Sequence, residues 1–137
     1  PLDEKLKGDL QFLLNVVDVG VSVRVHLLEL SQKSVLNIEK VDLYDELIKN
    51  VKLIENAKLK SFQDSILKAM KLQKEYYLEQ MQKSRMPTSE ILSKDAKVKK
   101  ASSHLHHAYS LLLELSPRDS KNNKQSFFDY LCAFDFI

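Results

Sequence analysis

The sequence is poor in the residues that form turns, disulfides and phosphate-binding loops. Its 137 residues include two Gly, three Pro and one Cys. So few turn-forming residues argue against an all-β fold, which needs a turn after every short strand. A single thiol, Cys132, excludes an internal disulfide framework and a cysteine-rich zinc site. With only Gly8 and Gly20, the chain has no glycine-rich loop that could hold a phosphate group.

The sequence also lacks an uninterrupted run of the ~18 apolar residues that a transmembrane helix needs. Its longest apolar stretch, Leu10 to Leu30, is interrupted by Asn15, Asp18, Arg24 and His26. No basic segment followed by an apolar one indicates a secretory signal, and a lone thiol suits a reducing compartment. We therefore expect an intracellular protein, cytoplasmic or nuclear. Because the chain begins at Pro1 and ends in an apolar run, we also expect it to be a domain of a longer protein.

Apolar residues recur at helical spacing through most of the chain, which predicts an all-α fold, a bundle of four or five helices. We expect helices at about 2–33, 42–57, 61–84 and 89–115, and a short terminal helix at 126–137. Asp42 is a candidate N-cap of the second helix, and Ser61 with Asp64 has the pattern of a capping box for the third. The second and third helices could also form one continuous helix.

Residues 17–27 allow a second interpretation. Valines occupy alternate positions from Val17 to Val25, and alternating β-branched residues are typical of a strand. We favour the helix because no partner strand with turn residues follows, and a lone strand leaves its backbone hydrogen bonds unmade.

The predicted helix 89–115 has the most regular pattern of the chain. Its apolar residues repeat every seven positions, at Ile91, Val98, Leu105 and Leu112. Ala101 and Ala108 occupy the second position of the same seam. Small side chains there allow a neighbouring helix to approach closely, as in a left-handed bundle.

The chain is expected to be a single domain with an aromatic end. Residues 1–116 would form the bundle, and the polar residues 117–126 a linker or loop. The last 11 residues, 127–137, contain five of the 11 Phe and Tyr side chains. Because such a patch is rarely left exposed, it packs either on the bundle or on a partner. In the second case it would dock in a groove through Phe127, Phe128, Leu131, Phe134 and Ile137.

The net charge of +2 conceals an uneven distribution along the chain. Residues 58–100 carry 11 basic and 5 acidic groups, whereas residues 1–57 carry 7 basic and 10 acidic groups. On the predicted helix 89–115, five basic residues span roughly 140° of arc at ~100° per residue. This stripe, which could face an anionic partner, consists of Lys94, Lys97, Lys100, His104 and His107.

The sequence contains no constellation that favours catalysis. His104 and His107 share a face, but no carboxylate lies one turn from this pair to complete a site, so we predict no metal site. The neighbours of Cys132 are apolar or acidic, which does not activate a thiol. We therefore predict no enzymatic activity, no cofactor and no small-molecule substrate.

Elimination leaves two functions. The favoured one is a non-enzymatic helical protein–protein interaction or scaffold domain, an adaptor whose partner is another protein or peptide. The alternative is a basic helical module that binds nucleic acid or an anionic membrane surface through the Lys-rich block 58–100. These two differ in salt dependence, because phosphate binding weakens steeply as salt rises.

Overall fold

The computed structural model describes residues 4–83 and 89–115, and every regular element within them is a helix. In chain order the helices are α1 (Glu4–Gln32), α2 (Ile38–Val41), α3 (Leu43–Lys49), α4 (Ala57–Lys83), α5 (Ser89–Lys94) and α6 (Ala96–Leu115). The predicted all-α bundle is therefore confirmed. The predicted linker 117–126 and terminal helix 126–137 lie outside the described residues.

Helix α4 is the central element of the bundle, because α1, α3 and α6 all pack against it. Helix α6 runs antiparallel to α4, as shown by ion pairs toward both ends: Lys58–Glu114 at 3.4 Å and Lys97–Glu79 at 2.7 Å. Helix α3 also runs antiparallel to α4, since Tyr44 bonds Gln73 whereas the later Lys52 bonds the earlier Gln63. The large aromatic side chains of α4 are fully buried in the common core: Phe62, Tyr76 and Tyr77.

Helix α1 runs without interruption through residues 17–27, so the strand interpretation is wrong. Val17 and Val23 are buried, whereas Val19 and Val25 are exposed, as expected when alternate residues rotate around a helix. The weak helix propensity of valine is outweighed here by burial of one face against the core. Among the described helices, none combines the length and hydropathy that a membrane span requires.

The predicted helix 42–57 is wrong in its second half. Helix α3 ends at Lys49, and residues 50–55 continue without helical structure. The buried Gln63 of α4 replaces the missing helical bonds at Lys52: its Nε2 donates to the Lys52 carbonyl at 3.0 Å, and its Oε1 accepts from the Lys52 N–H at 3.2 Å. Val51, which lies in this non-helical segment, is 57% exposed.

Of two predicted helix starts, that of α3 is confirmed in position, with Asp42 as its N-cap residue, and that of α4 is wrong. The Asp42 side chain makes no capping bond and instead lies 3.7 Å from the Nζ of Lys74. Helix α4 begins earlier than predicted because Asn56 Oδ1 accepts hydrogen bonds from the N–H groups of Lys58 and Leu59, both at 3.0 Å. Ser61 and Asp64 thus lie inside α4 and not at its start.

The predicted helix 89–115 is divided at Asp95. The Asp95 Oδ1 accepts hydrogen bonds from the N–H groups of Lys97 at 2.8 Å and Val98 at 3.1 Å, as an N-cap does. The seam that follows is confirmed, because Ala101 and Ala108 are fully buried. A short helix, α2, lies in what the sequence suggested was a plain connection, and Asn37 caps it.

We predict that Gln63→Ala lowers the free energy of unfolding by about 1–2 kcal/mol, because two backbone groups of Lys52 lose their partner. Urea unfolding followed by circular dichroism measures this change. Gln82→Ala, at an exposed position of the same helix, is the matched control and should change stability by less than about 0.5 kcal/mol. Equal stability of the two variants would show that the Gln63 bonds do not hold the connection.

Candidate partner-binding surface

The five basic residues predicted to form one stripe are separated in the structure. Lys94 is exposed at the end of α5 and lies before the break at Asp95. Lys97 is half-buried, with its Nζ 2.7 Å from the Glu79 Oε2 of α4. Only Lys100, His104 and His107 follow one another at spacings of four and three residues on one side of α6.

Lys97 differs from Lys100, His104 and His107 of α6 because it is paired with Glu79 of α4. The Glu79 carboxylate accepts hydrogen bonds from Lys83 and Lys97, which lower the pKa of Glu79 to about 2. The hydrogen bond between Lys97 and Glu79 also raises the pKa of Lys97 above its ordinary value. The charge of Lys97 is therefore compensated within the protein and joins α6 to α4.

Helix α4 contributes a basic residue that the sequence analysis missed. Residue 68 follows Lys58 by ten positions and residue 104 precedes Glu114 by ten, so the antiparallel pairing places them level. Burial lowers the pKa of His104, and the positive charge of Lys68 lowers it further, ahead of the smaller effects of His107 and Lys100. This electrostatic effect of Lys68 on His104 agrees with the register that the Lys58–Glu114 pair sets between the two helices.

We call this group the basic ridge; its members are Lys68, Lys100, His104 and His107. Three of them are exposed and His104 is partly buried. None of the four forms an ion pair with another residue in the part of the chain that the structure describes. By contrast, a carboxylate balances each lysine of four pairs that join separate segments: Lys52–Asp9, Lys74–Asp45, Lys58–Glu114 and Lys97–Glu79.

The basic ridge has defined ends and apolar neighbours. On α6 it spans residues 100–107, which is about 10 Å at 1.5 Å per residue. The Lys97–Glu79 pair lies beyond one end and the Lys58–Glu114 pair beyond the other. Leu72 follows Lys68 by four residues and Leu111 follows His107 by four, so each lies one turn from the ridge. Both leucines are partly buried against the core.

A second polar cluster lies inside the bundle. Arg24 of α1 is buried, and its charge acts on Tyr44 of α3 and Tyr77 of α4. The Tyr44 hydroxyl donates a hydrogen bond to Gln73 Oε1 at 2.9 Å. Burial raises the pKa of both tyrosines, so both hydroxyls stay protonated. These buried residues connect α1, α3 and α4 inside the bundle. Because they are not at the surface, the basic ridge is the candidate partner-binding surface.

The predicted aromatic docking residues Phe127, Phe128, Leu131, Phe134 and Ile137 lie outside the described residues, and so does Cys132. Within residues 4–83 and 89–115, no three His, Cys, Asp or Glu side chains converge as a metal site would require. Comparison with protein-family models, curated proteins and solved structures finds no match to this chain.

We predict that His104 titrates below its ordinary pKa of 6.5, and that Lys68→Gln raises its pKa, because a positive neighbour disfavours the imidazolium. The measurement is the NMR shift of the His104 ring protons as a function of pH. Lys40→Gln, which removes an exposed lysine from α2, should leave the titration unchanged. If the pKa of His104 is the same in wild type and Lys68→Gln, Lys68 is not part of the basic ridge.

Proposed function

We propose that this chain is a non-enzymatic helical protein–protein interaction domain, an adaptor or scaffold module of an intracellular protein. The observation that carries the proposal is the convergence of Lys68, Lys100, His104 and His107 from two helices without a carboxylate partner among the described residues. Isolated exposed lysines are ordinary on a protein surface. Four basic residues that face one another disfavour the folded state slightly, and an anionic partner would relieve that repulsion.

The surroundings of His104 support binding over catalysis. A catalytic histidine is commonly oriented by a carboxylate or another acceptor, which stabilises its protonated form during proton transfer. The charged groups that act on His104 are Lys68, His107 and Lys100, and all of them lower its pKa. They disfavour the proton that a general acid must carry.

The alternative, a module for nucleic acid or an anionic membrane, receives less support from the same geometry. The Lys-rich block 58–100 does not present its charges on one surface, because acidic residues already balance several of them: Lys58, Lys74, Lys83 and Lys97. A protein that binds duplex DNA through its backbone commonly neutralises about 6–10 phosphates. The basic ridge offers four groups, and two of them are histidines.

The test is affinity capture from cell extract with three baits: the wild-type chain, a ridge variant and a matched control. The ridge variant is Lys68→Glu with Lys100→Glu. The control, Lys40→Glu with Lys49→Glu, changes net charge equally on the exposed sides of α2 and α3. Circular dichroism first establishes that all three are folded.

We expect the wild-type and control baits to capture a protein from the extract, and the ridge variant to capture about tenfold less of it. The purified protein should bind the wild-type chain directly. The loss follows from charge reversal at two positions, each of which contributes up to about 1 kcal/mol. Capture of nucleic acid or lipid alone, or turnover of a small molecule by the chain, would overturn the proposal.

A further inference from the structure

We infer that the basic ridge binds an acidic amphipathic segment of a partner protein, with carboxylates against Lys68 and Lys100 and apolar side chains against Leu72 and Leu111. This inference rests on the proposed function and specifies the chemistry of the partner. Three features of the ridge lead to it: its charge, its apolar neighbours and its length.

The positive charge of the basic ridge requires a negatively charged partner. Lys68 of α4 is level with His104 of α6 in the antiparallel pairing, and Lys100 precedes His104 by one turn of α6, so a group that approaches His104 meets positive charge from both helices. Both lysines are exposed and form no ion pair with another described residue, so they can reach a ligand without breaking a contact within that part of the chain. A carboxylate placed between them would form charge-assisted hydrogen bonds with two ammonium groups.

The apolar neighbours distinguish a peptide from a bare polyanion. Leu72 and Leu111 are partly buried, so each leaves some apolar surface at the edge of the ridge. A peptide with alternating acidic and apolar side chains can cover this surface, as amphipathic helices do in grooves. A phosphate backbone has no apolar group to place there. No aromatic side chain belongs to the ridge, so stacking with nucleic-acid bases is not available at these residues.

The length of the ridge fits a short segment. About 10 Å corresponds to roughly two turns of helix, which can present two or three carboxylates on one face. Beyond this length, the surface carries the compensated pairs Lys97–Glu79 and Lys58–Glu114. The Lys58 and Lys97 side chains of these pairs are already bound to carboxylates, so the ridge favours a partner whose negative charge is confined to about two turns.

The inference is tested with the 137-residue chain and a labelled peptide of about four helical turns. The peptide carries glutamates on one face, leucines beside them, and no other charge. Fluorescence anisotropy at low salt measures its affinity for wild type, for Lys68→Glu with Lys100→Glu, and for the control Lys40→Glu with Lys49→Glu. A second peptide has lysines in place of the glutamates. A short DNA duplex and phosphatidylserine vesicles serve as alternative anions.

We expect the acidic peptide to bind wild type and control equally, and the ridge variant at least tenfold more weakly. The lysine peptide should show the reverse preference, binding the ridge variant better than wild type, because its charge complements the introduced glutamates. Circular dichroism establishes that the ridge variant is folded. A peptide with serines in place of its leucines should bind wild type more weakly, as the contact with Leu72 and Leu111 requires.

Equal affinity of the acidic peptide for the ridge variant and the control would overturn the inference. Tighter binding of the DNA duplex or the vesicles than of the peptide would also overturn it and assign the ridge to phosphate groups. In the first case the proposed function stands if extract capture identifies a protein that the ridge variant loses, because that protein would bind the ridge through a segment other than an acidic amphipathic one. If the DNA duplex or the vesicles bind more tightly than the peptide, and extract capture yields only nucleic acid or lipid, both the inference and the proposed function fail.

Discussion

The antiparallel pairing of α4 with α6 is the interaction on which the rest of this structure depends. Ala101 and Ala108 of α6 are fully buried, and such small residues let two helices approach closely enough to share one core. That pairing also fixes the register between the two helices, which brings Lys68 level with His104. The same packing that stabilises the bundle therefore also forms the basic ridge.

Electrostatic compensation divides the surface into two kinds of region. Where α4 meets α3, the Lys74 Nζ lies 2.7 Å from Asp45, and where it meets α6, Glu79 binds two lysines. The basic ridge has no such carboxylate among the described residues. Like charges one turn apart cost about 0.2–0.5 kcal/mol per pair, a small loss that a domain can tolerate for the sake of a binding surface. The difference between these regions is the physical basis of the proposed function.

Sequence reasoning predicted the fold better than it predicted the surface. Helical periodicity identified the four longer helical regions and the Ala101/Ala108 seam, because these depend on residues close in sequence. Sequence reasoning failed where a residue distant in sequence determines the local structure. Gln63 binds the backbone of Lys52, which is not helical, and Glu79 binds Lys97, which is 18 residues away. Lys68 was missed for the same reason, since only the register of α4 against α6 brings it to His104. The Asn56 cap was a local signal and could have been read from the sequence.

We propose that Lys68 and Lys100 are held at a small cost to folding and that they serve a partner. The most direct test of this proposal is the free energy of unfolding of Lys68→Gln with Lys100→Gln, measured by urea titration at ~20 mM and ~1 M NaCl. We predict that the variant is more stable than wild type by about 0.3 kcal/mol at low salt, and that the difference vanishes at ~1 M, where the Debye length falls to about 3 Å. A variant less stable than wild type at low salt would show that these lysines support the fold, which would contradict the account.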